Sequence, residues 1–153
     1  MAQFGFYQDT SSAPDFTKPI NVGTPLTQSI DIDAGGVVTQ RIWFGSDQSS
    51  QQVQDNASPG VAQITVSIVD ATAGNTNPTT RFKLFKGNSP PADWNTVTAG
   101  ASINLGTSVV GGAGNAVSIW VQYTGPANEN SGSPITYTDL SFQTNTLRQV
   151  AFP

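Results

Sequence analysis

The sequence predicts an all-β protein, a single antiparallel β-sandwich of about seven or eight strands, immunoglobulin-like or jelly-roll in type. Three observations carry that expectation. Short segments rich in β-branched and aromatic residues alternate apolar with polar positions, the period of a half-buried strand. Turns rich in Gly and Pro separate them, with 15 Gly and 10 Pro in 153 residues. No segment sustains a helical 3.6-residue period beyond one turn. The length suits one domain with its own core.

Residues 1–25 read as an extended N-terminal arm. Phe4, Phe6, Tyr7 and Phe16 sit among Asp9-Thr10-Ser11-Ser12-Ala13-Pro14, with Pro19 and Pro25 following. Four aromatics without a sustained period do not make a simple core strand, so the arm is expected to be pinned against its own domain or a neighbour. Residues 26–153 are expected to form the sandwich with a short C-terminal tail. Ser29-Ile30-Asp31-Ile32-Asp33 alternates and ends at Ala34-Gly35-Gly36; Val37 to Phe44 is the next strand. Residues 45–60 read as a polar connection.

Ile64 to Ile68 alternates cleanly, and Arg81 to Lys86 places Phe82 and Leu84 inward with the basic residues outward. Ser89-Pro90-Pro91-Ala92-Asp93-Trp94 is a rigid loop, in which Trp94 is expected to plug the sandwich end. Ile103-Asn104-Leu105, a hairpin turn at Gly111–Asn115, the strand Val117–Tyr123, a polar loop from Gly125 to Pro134 and a last strand from Thr136 to Phe142 complete the pass.

Composition excludes much chemistry. Cys and His are absent and Glu129 is the only glutamate, so disulfides, thiolate sites, imidazole bases and most zinc ligand sets are unavailable. Charged residues are 10% of the chain, the net charge is -4, and Ser, Thr, Asn and Gln outnumber charged residues more than three to one. A nucleic-acid binder carries a basic stripe, and none is present. No apolar run approaches the roughly 20 residues of a membrane span. Met1-Ala2-Gln3-Phe4-Gly5 has the look of a cytoplasmic start without a secretion signal. Such a composition with such a start suits a shell protein that folds in a host cytoplasm and works outside.

The remaining motifs favour plain readings. Asp31-x-Asp33-x-Gly35 imitates a calcium loop but has Gly35 and Ile42 where an EF-hand needs an oxygen ligand and a bidentate Glu, so no metal or other cofactor is expected. Asp47, Asp55, Asp70, Asp93 and Asp139 could pair as glycosidase carboxylates, yet all lie in or near turn sequences, and no enzyme activity is expected. Gly111-Gly112-Ala113-Gly114 lacks the Lys-Ser/Thr of a phosphate loop. Asn56-Ala57-Ser58 fits a glycosylation sequon followed by Pro59 and is expected to go unused. On the strand Val117–Tyr123, Trp120 faces away from Val117, Ile119, Val121 and Tyr123; Trp43 poses the same question beside Ile42 and Phe44. A tryptophan on an outer face is a sugar platform, a protein contact, or covered by its own chain.

The stretch from Trp94 through Leu105-Gly106-Thr107 to Ile119-Trp120-Val121 and Tyr137-Thr138-Asp139-Leu140 resembles the capsid decoration, or cement, proteins of tailed bacteriophages, over roughly residues 20–143. The resemblance implies a non-enzymatic virion protein on the capsid exterior that clamps joints between subunits of the major capsid protein, often as a homotrimer, without nucleic-acid or membrane partners. Its partner interface is then expected at Phe4, Phe6, Tyr7, Phe16, Trp43 and Trp120. A carbohydrate-binding or adhesin module, using Trp120 or Trp43 as a stacking platform, is the alternative, and a tail position is a variant of the first reading.

Overall fold

A computed structural model describes residues 3–21, 25–27, 35–71, 79–125 and 140–153. The fold is all-β, a sandwich with one five-stranded layer and a second layer made of two three-stranded sheets, antiparallel throughout. In chain order the strands are β1 (Gly5–Thr10), β2 (Ala13–Pro19), β3 (Gly36–Gly45), β4 (Gln51–Asp55), β5 (Ile64–Asp70), β6 (Phe82–Lys86), β7 (Ile103–Gly106), β8 (Ser108–Val110), β9 (Val117–Gly125), β10 (Leu140–Thr144) and β11 (Leu147–Ala151). The first layer runs β2-β1-β3-β9-β6; the second comprises β10-β5-β7 and β11-β4-β8.

Alternation builds the core as the period of two requires. Ile42, Phe44, Leu84, Ile119 and Val121 point inward from the five-stranded layer and meet Val53, Ile64, Val66, Leu105 and Val109 from the other. All ten are buried, and Ile42, Ile64, Val66 and Ile119 are wholly so. Phe82 packs against this cluster and Leu84 lies within it, as the alternation of residues 81–86 predicts.

The two three-stranded sheets are stacked end to end along three shared tracks. β7 passes into β8 across Thr107, and β10 passes into β11 across Asn145 and Thr146. β4 and β5 share the middle track, with residues 56–63 looping out between them. Gly106, at φ 116°, takes the bend with a conformation that favours glycine. Asn145 staples the break: it accepts from the Thr65 amide at 2.9 Å and donates to the Gln63 carbonyl at 3.2 Å and to the Asp55 carboxylate. Asp55 is buried and also accepts from the Ser58 amide at 2.7 Å, so it closes this turn as a structural carboxylate.

Several expectations change. Residues 5–19 of the expected arm form the hairpin β1–β2, with β1 paired to β3 through Phe6↔Phe44 and Tyr7↔Trp43. The aromatics there alternate sides of a strand: Phe6 faces the sandwich, 5.2 Å from Phe44 and 5.5 Å from Phe142 by ring centroids, while Tyr7 faces outward. Residues 51–55, within the expected polar connection, are β4, because Val53 is its one buried apolar residue and the glutamines pair by backbone. The expected C-terminal tail holds β11, paired to β4. Gly111–Asn115 is not a hairpin turn: β8 and β9 belong to opposite layers, and the 3-10 turn Ala113–Asn115 arches between them. The expected strand at 29–33, and residues 126–139 with Glu129 and Asp139, lie outside the described residues. Among the described residues no helix is long and apolar enough to cross a membrane.

The hairpin turn itself is strained. Ser11 and Ser12 hold φ of 52° and 67°, left-handed values that two-residue β-turns of type I′ need and that side-chain-bearing residues resist. Replacing them together, Ser11→Asn with Ser12→Gly, is expected to stabilise the domain by about 1 kcal/mol. Thermal melting checks this as a rise in Tm of about 2–4 °C. In β2, the Thr17 hydroxyl and then its amide hold the half-buried Asp15 carboxyl below the usual range. The small stabilisation this gives is present above the ordinary carboxylate pKa and is lost as pH falls through the lowered one.

Candidate functional site

The outer face of the five-stranded layer gathers the three tryptophans with Tyr7, Phe16 and Phe85. The register aligns Tyr7 with Trp43 and Trp43 with Ser118, and in the adjoining row Arg41 with Trp120 and Trp120 with Phe85. Phe16 packs edge-on against Tyr7 at 5.0 Å, and Trp94 packs edge-on against Phe85 at 6.5 Å. A band of rings thus crosses the sheet from the hairpin to the loop after β6.

Arg41 sits at the centre of that band. Its guanidinium lies 5.1 Å from the Trp43 ring centroid and 4.9 Å from that of Trp120, within cation–π range of both. Its Nε donates to Asp9 Oδ1 at 3.0 Å, and the same oxygen accepts from the Trp43 indole at 2.7 Å. A further Arg41 nitrogen donates to the Asn88 carbonyl at 3.3 Å, and the Trp120 indole donates to the Gly87 carbonyl at 3.0 Å. Only 12% of the Arg41 side chain is exposed. Arg41 is thus ion-paired, hydrogen-bonded and stacked: the Asp9 carboxylate fastens the hairpin to β3, and Arg41 with Trp120 holds the loop after β6.

Each residue expected at a partner interface has a place in this domain. Phe4 and Phe6 are half-buried and pack against the core. Tyr7 and Trp43 are buried. Burial, and secondarily the charge of Asp47, holds the Tyr7 phenol above its ordinary value, and its hydroxyl donates to the Gln3 carbonyl. Phe16 and Trp120 are half-buried. Trp94 does not plug the sandwich end; it caps the outer face over Phe85, where Lys83 donates to its carbonyl at 2.9 Å. Sequence reasoning missed Arg41 and Asp9. The spacing Arg41-x-Trp43 was the available signal, since residues two apart on a strand share a face.

Two of the aspartates considered as carboxylate partners hold turns. Asp55 closes the turn at the sheet break, and Asp93 caps the turn Trp94–Thr96 through the Asn95 amide at 2.9 Å. Among the described residues no cluster of three acidic side chains could hold a metal ion. Asp31 and Asp33 lie outside them.

No protein-family model, curated protein or solved structure matches the chain.

Proposed function

We propose that this chain is a non-enzymatic structural protein of a virion surface, a decoration protein that acts as a homotrimer and binds joints between subunits of a capsid. Support comes from the N-terminal hairpin. Its aromatic sequence is built into the sheet as two rigid strands, and the second has no strand facing it among the described residues: Phe6 of β1 already packs over Phe142 of β10, and the opposite layer is three tracks wide. β2 is therefore a flange whose exposed Thr17 and Lys18, with the open part of Phe16, are free to meet a neighbour. Prolines 14 and 19 in β2 discourage uncontrolled edge-to-edge pairing and leave side chains to carry the contact. The low charge favours contacts that salt does not screen.

The stacking-platform reading is less well supported, because Arg41 lies over both indoles that a sugar ring would need. In the decoration reading the mechanism is linkage. Occupied joints stabilise the assembled shell by RT ln(1 + [L]/Kd) per site, about 2.7 kcal/mol at a hundredfold excess over Kd. Stripped shells of a tailed bacteriophage incubated with the protein are expected to bind it in multiples of three copies and to release their genome at a higher temperature. Phe16→Asp with Thr17→Asp on β2 is expected to abolish binding while the domain stays folded. Equal bursting at full occupancy would sink the reading.

A further inference from the structure

An open cleft of about 200 Å³ lies where β6 ends and β9 begins, lined by Lys86, Gly87, Asn88, Ala116, Val117 and Ser118. Its rim is held from several sides. Gly87 donates to the Ser118 carbonyl at 3.1 Å, while its own carbonyl takes the Trp120 indole and that of Asn88 takes Arg41. A side chain at Gly87 would meet the Phe85 ring at 2.9 Å and the Ser89 carbonyl at 3.1 Å, so this wall is closely packed. Ser118 is only 3% exposed, and its hydroxyl is sealed from solvent without a partner among the described residues. The nearby indoles are committed elsewhere: Trp43 donates to Asp9 and Trp120 to Gly87. Buried hydroxyls are normally satisfied, so an orphan beside a preformed cleft calls for a ligand group.

We propose that this cleft binds one ring of a saccharide, with Ser118 as its anchor. To reach a ligand the hydroxyl has to turn about χ1 from its sealed position toward the cleft, and the binding reading requires that turn. The chemistry of the walls selects the class. Ala116 and Val117 offer a small apolar surface to ring C–H groups. Ser118 both donates and accepts, the exposed Asn88 amide does the same, and Lys86 has ammonium protons to spare beyond the one given to the Leu105 carbonyl at 3.2 Å. An anion would leave the acceptor capacity of Ser118 and Asn88 unused, and a purely apolar ligand would leave Ser118 unmet. The volume falls below the roughly 300–1,000 Å³ of drug-sized sites and so limits occupancy to a single ring or chain end. Because the rim is already fixed, binding orders little of the protein. This site is separate from the β2 flange and does not depend on the virion reading.

The test is a ¹⁵N-NMR titration of the isolated protein with the methyl glycosides of glucose, galactose, mannose and N-acetylglucosamine. At least one is expected to shift the Gly87, Asn88 and Ser118 amides and the Trp120 indole saturably, with a Kd on the order of 1 mM. Ser118→Ala is expected to fold and to melt no lower than the parent, since it removes an unpartnered hydroxyl, while weakening binding about tenfold. Asn88→Trp, at an exposed position, is expected to fill the mouth and abolish the shifts. The proposal is overturned if no glycoside gives saturable shifts, if neither variant weakens them, or if Ser118→Ala melts well below the parent, which would reveal a partner for the hydroxyl within the fold.

Discussion

Gly111→Ala is expected to destabilise the domain by about 3 kcal/mol, the upper end of what overpacking costs. Gly111 is buried where the arch from β8 to β9 nests against residues 46–50. A Cβ there would lie 2.7 Å from the Gln48 carbonyl carbon, closer still to its oxygen, and 3.3 Å from the Gln51 carbonyl oxygen. These are backbone atoms, which cannot swing aside as a side-chain tip can. Moving them would strain the Gly111 amide bond to Gln51 at 2.8 Å, the Gly112 amide bond to Ser46 at 2.7 Å and the Asn115 side-chain bond to Gly111 at 2.8 Å. Urea unfolding should show the midpoint falling by about 1–3 M at unchanged slope. A parent-like midpoint would mean that the arch can open without cost.

The second large effect is expected at Arg41. Arg41→Ala removes two cation–π contacts worth about 0.5–2 kcal/mol each and a charge-assisted bond to Asp9, for a combined loss of about 3 kcal/mol. It also frees the hairpin from its clamp, so proteolysis should begin at residues 5–19 before the rest of the domain. Arg41→Lys keeps the charge but not the flat, stackable guanidinium, and is expected to recover less than half of the loss. Tryptophan emission reports the change directly, since the cation lies over Trp43 and Trp120. Were Arg41→Lys equal to the parent, charge alone would hold the hairpin and stacking would contribute nothing.

How far the sequence was legible depended on whether a strand was buried on one clean face. Val37–Phe44, Ile64–Ile68 and Val117–Tyr123 were readable because alternate residues feed one core, and the observed strands extend each by one or two residues at most. β4 was illegible because a strand in the middle of a sheet can live on backbone bonds with Val53 as its one inward valine. β1 and β2 read as an arm in the sequence because both faces of β1 are covered. Phe6 and Tyr7 are adjacent, one feeding the core and the other the outer band, and two-sided burial erases the alternation that marks a half-buried strand. The outer band was half visible: Trp120 was correctly assigned to the face away from the core, and its covering by an arginine from the neighbouring strand depended on a pairing that one chain segment does not encode.

The break across the second layer has a mechanical consequence. Backbone ladders on either side of it stop at the same level, with Ile64 facing Gly106 and Leu147 facing Asp55. Load along the strands crosses this line through three covalent chains and the Asn145 side chain, while the five-stranded layer opposite runs on unbroken. The domain is thus a stiff plate backed by two panels on a crease. Bending across the strands is therefore expected to concentrate at the crease.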